Sequence, residues 1–167
     1  MEVPLILTLA LEDYAFQFFN ALRKIYYPAH LNKTDAHLTL FRLLPNEESI
    51  IEKVALIAAQ QSVITLQVKE PLRTSTGVAY TIESESLMQL HSKFQHGWEP
   101  FLIPQDREEL WPHITIQSQA NQEAATELLQ FLKDNFSAFE AISTGLQLWE
   151  NNGGNWKLFR EFPFVKD

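Results

Sequence analysis

Apolar positions along the chain follow two rhythms, one helical and one alternating. Val3 to Leu11 is a nearly continuous apolar run and reads as a strand. From Glu12 to Pro28, Ala15, Phe18, Phe19, Leu22 and Tyr26 recur at helical spacing, and Pro28 closes the pattern. A polar loop leads to a strand from His37 to Leu44. The next helix places Ile50, Ile51, Val54, Ile57 and Ala58 on one face, with Asn46 expected as its N-cap and acids in its first turn. Val63 to Val68 is expected as a strand, "PLRTSTG" as a turn, and Val78 to Ile82 as the returning strand.

The same order then recurs. Ser84 opens a helix with Leu87, Leu90, His91 and Phe94 on its face and Gly97 expected as C-cap. A long loop, "WEPFLIPQDREELWP", leads to a strand from His113 to Gln117. "ANQEAATELLQFLKDNF" is amphipathic through Ala125, Leu128, Leu132 and Phe136. A strand from Ile142 to Trp149, a turn at "ENNGGN" and a strand from Trp156 to Phe164 complete the chain. The intervals agree. His37 and His113 lie 76 residues apart; Asn46 and Asn121, and Ser62 and Ser137, lie 75 apart. This register implies an internal duplication, with units of roughly 12–83 and 84–164 inside a single domain spanning 1–167. The predicted fold class is α+β: bilobal, with duplicated units of mainly antiparallel sheet, flanking helices and a central groove between the lobes.

Composition narrows the function classes. The 167 residues suit one domain, and 46% apolar with 20% charged residues suits a globular chain. There is no cysteine, which excludes disulfides, thiolate catalysis and Cys-zinc sites and fits a cytoplasmic protein. The apolar start lacks a basic segment and meets Glu12 and Asp13, so it is expected to be a strand and not a secretory leader. No apolar run approaches the ~20 residues of a membrane helix. A net charge of −8 disfavours sequence-blind binding to long DNA or RNA, but leaves room for a small phosphate ester or an RNA end in a local pocket.

The repeated element carries the chemistry. "AHLTLFR" and "PHITIQS" share a His-x-Thr core. Residues i and i+2 of a strand share a face, so His37 and Thr39 point together, as do His113 and Thr115. Leu38, Leu40, Ile114 and Ile116 point the other way. One such motif alone is more often structural. Two copies in register place two imidazoles and two hydroxyls across a groove. One neutral imidazole can take a proton from water or a ribose hydroxyl, and the other, protonated, can give one to the leaving oxygen. The Thr hydroxyls can stabilise charge on phosphoryl oxygens. The two units are chemically alike, so acid and base are not assigned between them. This chemistry needs no metal and no cofactor, and the chain has no HExxH, no clustered His/Asp ligand set and no P-loop.

"HLTLF" and "PHITIQ", each on a strand followed by a helix, resemble the two signature tetrads of the 2H phosphoesterase superfamily, the 2′-5′ RNA ligase and cyclic phosphodiesterase group. The ending "GGNWKLFREFPF" is similar to many bacterial members. The resemblance implies a bilobal fold with the tetrads lining a central cleft, and metal-free action on 2′,3′-cyclic phosphates or 2′-5′ linkages. It implies catalysis by His37 and His113 and phosphate binding by Thr39 and Thr115. Ala36, and Trp111 with Pro112, stand where the best-known RNA ligase branch has a basic residue and Pro, which favours a bacterial branch with other substrates.

Further residues are candidates for substrate contact. Phe41 and Gln117 fall on the His/Thr face by parity, and Arg42 is expected to face away. Arg107 and Trp111 lie in the long loop: Arg107 is either a phosphate contact or a solvated charge, Trp111 either a base-stacking surface or a core anchor. His91 is expected to be a satisfied core residue. Trp149 and Trp156 read as cross-strand packing first and stacking surfaces second. The expected partner is a small nucleotide or RNA end, without membrane contact, acting on a monomer. Hydrolysis is the first reading; a nucleotide-binding protein without turnover, or a 2′-5′ RNA ligase running the reverse reaction, are the alternatives.

Overall fold

The computed structural model describes residues 2–166. Its strands are β1 (Leu5–Leu11), β2 (Leu38–Leu44), β3 (Ile64–Arg73), β4 (Val78–Glu83), β5 (His113–Gln117), β6 (Phe139–Asn152) and β7 (Asn155–Pro163). Its α-helices are α1 (Asp13–Tyr26), α2 (Glu48–Gln60), α3 (Glu85–Trp98), α4 (Pro104–Arg107) and α5 (Gln122–Asp134), with a 3₁₀ turn at Glu99–Phe101. Among the described residues no helix is long and apolar enough to cross a membrane.

Local chemistry accounts for most boundaries. Glu12 caps α1, its carboxylate accepting from the N–H of Tyr14 and Ala15. Tyr27 is extended, as a residue before proline prefers, and the helix stops there. Ser84 and Asn121 cap α3 and α5 through their side-chain oxygens. Two expected caps are corrected. Glu47, not Asn46, precedes α2, because the Asn46 amide donates instead to the Val3 carbonyl and ties the helix start to β1. Gly97 lies inside α3, which runs on to the buried Trp98. A Cβ at Gly97 would run into the Lys53 side chain, so the small residue serves helix packing and not termination. β3 also continues past Val68, through Pro71 to Arg73, with a register shift between Val68 and Pro71. The turn is confined to Thr74–Gly77, where Thr74 N–H donates to the Gly77 carbonyl. Gly153 and Gly154, at φ 63° and 97°, form the two-residue link between β6 and β7, a conformation that suits glycine at both positions.

All strands join one antiparallel sheet of order β2-β1-β6-β3-β4-β5, with β7 pairing the far half of β6. The order is symmetrical about the β6·β3 pair: β2 answers β5, β1 answers β4, and β6 answers β3. At the centre Leu66 pairs with Ala141, a residue 75 positions further along. The interval read from the sequence therefore maps each strand of this pair onto its partner. By position in the sheet, the matching halves are β1-α1-β2-α2-β3 and β4-α3-β5-α5-β6. This grouping moves β1 into the first half and leaves β7 outside both.

The sheet curls, so that β2 and β5, at opposite ends of the hydrogen-bonded order, come into contact. The helices cover its convex side around one apolar core running from Leu5, Leu7 and Leu38 to Ile114, Ile116 and Leu128. Bulges accompany the curl. Leu7 pairs with Phe41 and Thr8 with Thr39, which makes Leu40 an inserted residue. Val78 pairs with Gln117 and Ala79 with Thr115, which makes Ile116 the insertion in β5, 76 residues later.

Gly77 sits beside the second bulge, and a Cβ there would lie 1.9 Å from the Gln117 carbonyl oxygen. Only displacement of β5 would relieve that overlap. Gly77→Ala is expected to lower stability by about 1–3 kcal/mol, read as a reduced urea midpoint at unchanged m-value.

Candidate functional site

β2 and β5 bring the two His-x-Thr motifs to one cavity of about 560 Å³. His37, Thr39, His113 and Thr115 all line it. Each is half-buried, while Leu38, Leu40, Ile114 and Ile116 are buried behind them. The alternation up to the Thr is thus the expected one.

Beyond the Thr the alternation slips. The inserted Leu40 and Ile116 each shift the strand by one residue, and every later side chain changes face. Phe41, expected at the groove, is fully buried and stacks on His91 with centroids 4.6 Å apart and rings 10° from parallel. Gln117 is buried too and does not line the cavity. Arg42, expected to face away, lines the cavity instead. Asp106 of α4 fixes this turn of the backbone: its carboxylate accepts from the N–H of Arg42 at 3.1 and 3.0 Å and of Leu43 at 3.2 Å. Burial raises the pKa of Asp106, and those backbone bonds oppose the rise.

The two histidines are held alike. His37 Nδ1 lies 2.7 Å from the Asp35 carbonyl, and His113 Nδ1 lies 2.7 Å from the Trp111 carbonyl. A carbonyl only accepts, so Nδ1 carries the proton in each neutral ring and Nε2 is left with its lone pair. Each imidazole also meets an indole. Trp111 stacks on His113 at 4.0 Å and 16°, and Trp156, beyond the Gly153–Gly154 turn, lies against His37 at 4.6 Å. Trp111 is 43% exposed, so it is no core anchor. Trp149 donates from Nε1 to Thr8 Oγ1 and packs near Trp156 at 6.2 Å.

Charge breaks the symmetry. Burial pulls His37 down to about 4; the bond to the Asp35 carbonyl opposes this, while Arg23 and His113 push the same way. Burial also lowers His113, with its Trp111 bond opposing and Arg42 assisting. Arg23 is 3% exposed on α1. Its Nη1 donates to the Thr115 carbonyl at 2.7 Å, and its Nη2 to Asn32 Oδ1 and the Thr34 carbonyl. One guanidinium therefore ties the loop before β2 to the strand β5. Its signal was present in the sequence: it falls four residues after the buried Phe19, on the same helical face. Four residues further on than the first helix's match to α3 would suggest nothing comparable, but Gln95 of α3 has a parallel role, donating to the Asp106 and Glu108 carbonyls in the loop before β5.

The remaining candidates lie elsewhere. Arg107 is exposed, donates from Nε to the Leu102 carbonyl, and borders a separate recess with Gln95 and Glu99. Its place matches the solvated-charge reading. His91 is buried, with Nε2 3.2 Å from the carbonyl of the bulged Leu40, as a satisfied core residue. Among the described residues, no group of three or more His, Cys, Asp or Glu side chains is arranged to hold a metal ion.

Comparison with known proteins places this geometry in a family. The sequence profile described as the 2′-5′ RNA ligase superfamily matches residues 11–155. No curated protein matches the chain at a significant level of sequence similarity. Solved structures do. The crystal structure of Escherichia coli LigT complexed with 3′-AMP is 15% identical, with TM-score 0.66 over 99% of each chain. A Thermus thermophilus protein is 15% identical, with TM-score 0.66 over 96% of this chain and 97% of its own. A structure titled as a phosphoesterase is 15% identical, with TM-score 0.64 over 99% of each chain. At such identity the structural likeness speaks for the fold, a curled antiparallel half-barrel with flanking helices. The profile match covers most of the length, and by it the chain belongs to the 2′-5′ RNA ligase superfamily, the 2H phosphoesterases.

Proposed function

We propose that the chain is a metal-independent phosphoesterase that hydrolyses a 2′,3′-cyclic phosphate or a 2′-5′ phosphodiester at a nucleotide or RNA end. One observation carries the reading: two imidazoles, each fixed at Nδ1 by the carbonyl two residues back, line a single cavity beside two threonine hydroxyls. LigT, a structural neighbour, has been crystallised with 3′-AMP and with ATP, ligands of the size this cavity admits.

In the proposed reaction His37 is the base and His113 the acid. His37 Nε2 takes a proton from water as the water oxygen bonds to phosphorus. His113 Nε2 gives its proton to the ribose oxygen as the old P–O bond breaks. Thr39 and Thr115 donate to the non-bridging oxygens, where charge builds. The assignment follows the fixed cation: Arg23 faces His37 and favours its neutral form. A base whose pKa lies below that of its partner acid leaves both groups correctly protonated across the interval between them. A bound phosphate adds negative charge beside both rings and shifts both pKa values upward, which brings His113 toward the neutral range.

His37→Ala or His113→Ala is expected to lower kcat about 10²–10⁴-fold on adenosine 2′,3′-cyclic phosphate while circular dichroism stays unchanged. A double variant as fast as the wild type would sink the proposal. The kcat–pH profile should be bell-shaped and insensitive to EDTA. Loss of the base removes the need for a deprotonated group, so residual activity of His37→Ala should lack the acidic limb. Residual activity of His113→Ala should lack the alkaline limb. Exchanged limbs would reverse the two roles.

A further inference from the structure

The His–Thr site opens on two sides, and the sides differ in charge. On one lies the main cavity, whose outer lining includes Asp106, Glu108 and Glu109 against the one cation Arg42. On the other lies a recess of about 280 Å³ that shares His37, Thr115 and Trp156 with it. Arg23 and Lys33 line this recess, with Thr34 and Ser118, and no acid does. Asp35 acts on Arg23 from a distance, but it is exposed and lies outside the lining.

Two features make the recess more than a patch of surface charge. Arg23 is buried with no carboxylate bonded to it; its Nη atoms hold carbonyls and an amide, and its buried Nε has no hydrogen-bond partner. A buried cation without an anion is costly, and a ligand anion would offset that cost. Ser118 stands in β5 where Arg42 stands in β2, 76 residues earlier, each being the second residue after its strand's inserted one. The same place in the two halves thus brings a guanidinium to the acidic side and a hydroxyl to the basic side. The whole chain has net charge −8, so a cationic recess beside the site runs against the bulk field.

We propose that the substrate carries a second phosphate on the same molecule as the reacting one, and that this second phosphate is held in the Arg23–Lys33–Ser118 recess. The acidic rim on the other side repels such a group and accepts instead the uncharged part, with the exposed face of Trp111 available to a base. This names the substrate class as a phosphorylated nucleotide or an RNA end continuing through a further phosphate, as opposed to a lone nucleoside cyclic phosphate. It rests on the reading that the His–Thr pairs hold a phosphoryl group.

Calorimetric titration of the full chain with adenosine 3′-monophosphate and adenosine 3′,5′-bisphosphate tests it, in wild type and in Lys33→Ala. Arg23 is left intact because it braces the fold. In the wild type at low salt the bisphosphate should bind about tenfold tighter, and Lys33→Ala should cut that gain to about threefold or less. Equal affinity of the two ligands in wild type, or a gain untouched by Lys33→Ala, would overturn the proposal. Hydrolysis of adenosine 2′,3′-cyclic phosphate, assayed separately, reports on the catalytic reading. A Lys33-dependent gain without turnover keeps the second phosphate site and sinks the hydrolase; turnover without the gain does the reverse. Failure of either ligand to bind overturns both.

Discussion

The antiparallel pairing of β3 with β6, centred on Leu66 and Ala141, is the constraint from which the site follows. Each strand there faces the segment that occupies its own place in the other half of the chain. Whatever hangs on one strand is therefore presented in mirrored order on the other, through β1 to β2 and through β4 to β5. Two strands far apart in the hydrogen-bonded order reach one cavity because the sheet between them curls. The matching bulges at Leu40 and Ile116 lie at the strands where the curl must close. Apolar burial behind Leu38 and Ile114 keeps each strand from rolling, since a one-residue slip would carry the imidazole into the core and a leucine or isoleucine into water.

On this symmetrical frame a few residues create a direction. The Nδ1–carbonyl bonds are the same in both halves, and so are the flanking indoles in kind. Arg23 has no charged equivalent: in the other half Gln95 braces the corresponding loop without a charge. A cation on one side and a neutral amide on the other give two chemically identical histidines different surroundings. Asymmetry in a duplicated site is thus supplied from helices behind the strands, while the strands themselves stay alike.

Much of this was legible in the sequence. Helical spacing located α1, α2, α3 and α5, and the caps at Ser84 and Asn121 sit where their chemistry placed them. The 75–76 residue interval anticipated both the pairing of the motifs and the order of the sheet. The bulges were not legible. Leu40–Phe41 and Ile116–Gln117 are compatible with a regular strand, and an inserted residue leaves no mark in composition when the residues around it are apolar. One such residue was enough to exchange Phe41 for Arg42 at the cavity and to take Gln117 away from it. Arg23 could have been found as a charge on the buried face of α1; its partners, a carbonyl 92 residues away and a loop amide, could not, because they depend on tertiary contact.

The clasp between Asp106 and the backbone of Arg42 and Leu43 has a consequence for how the protein coexists with its neighbours. β2 is the last strand of its side of the sheet and offers an unpaired row of N–H and C=O groups. Such a margin invites another chain to add a strand and start self-association. A buried carboxylate carried in on α4 occupies two adjacent donors of that row, and the loop holding it lies over the margin. The segment that walls the cavity is therefore also a guard against polymerisation, and it lets a reactive histidine stand on an open strand without leaving that strand available to other proteins.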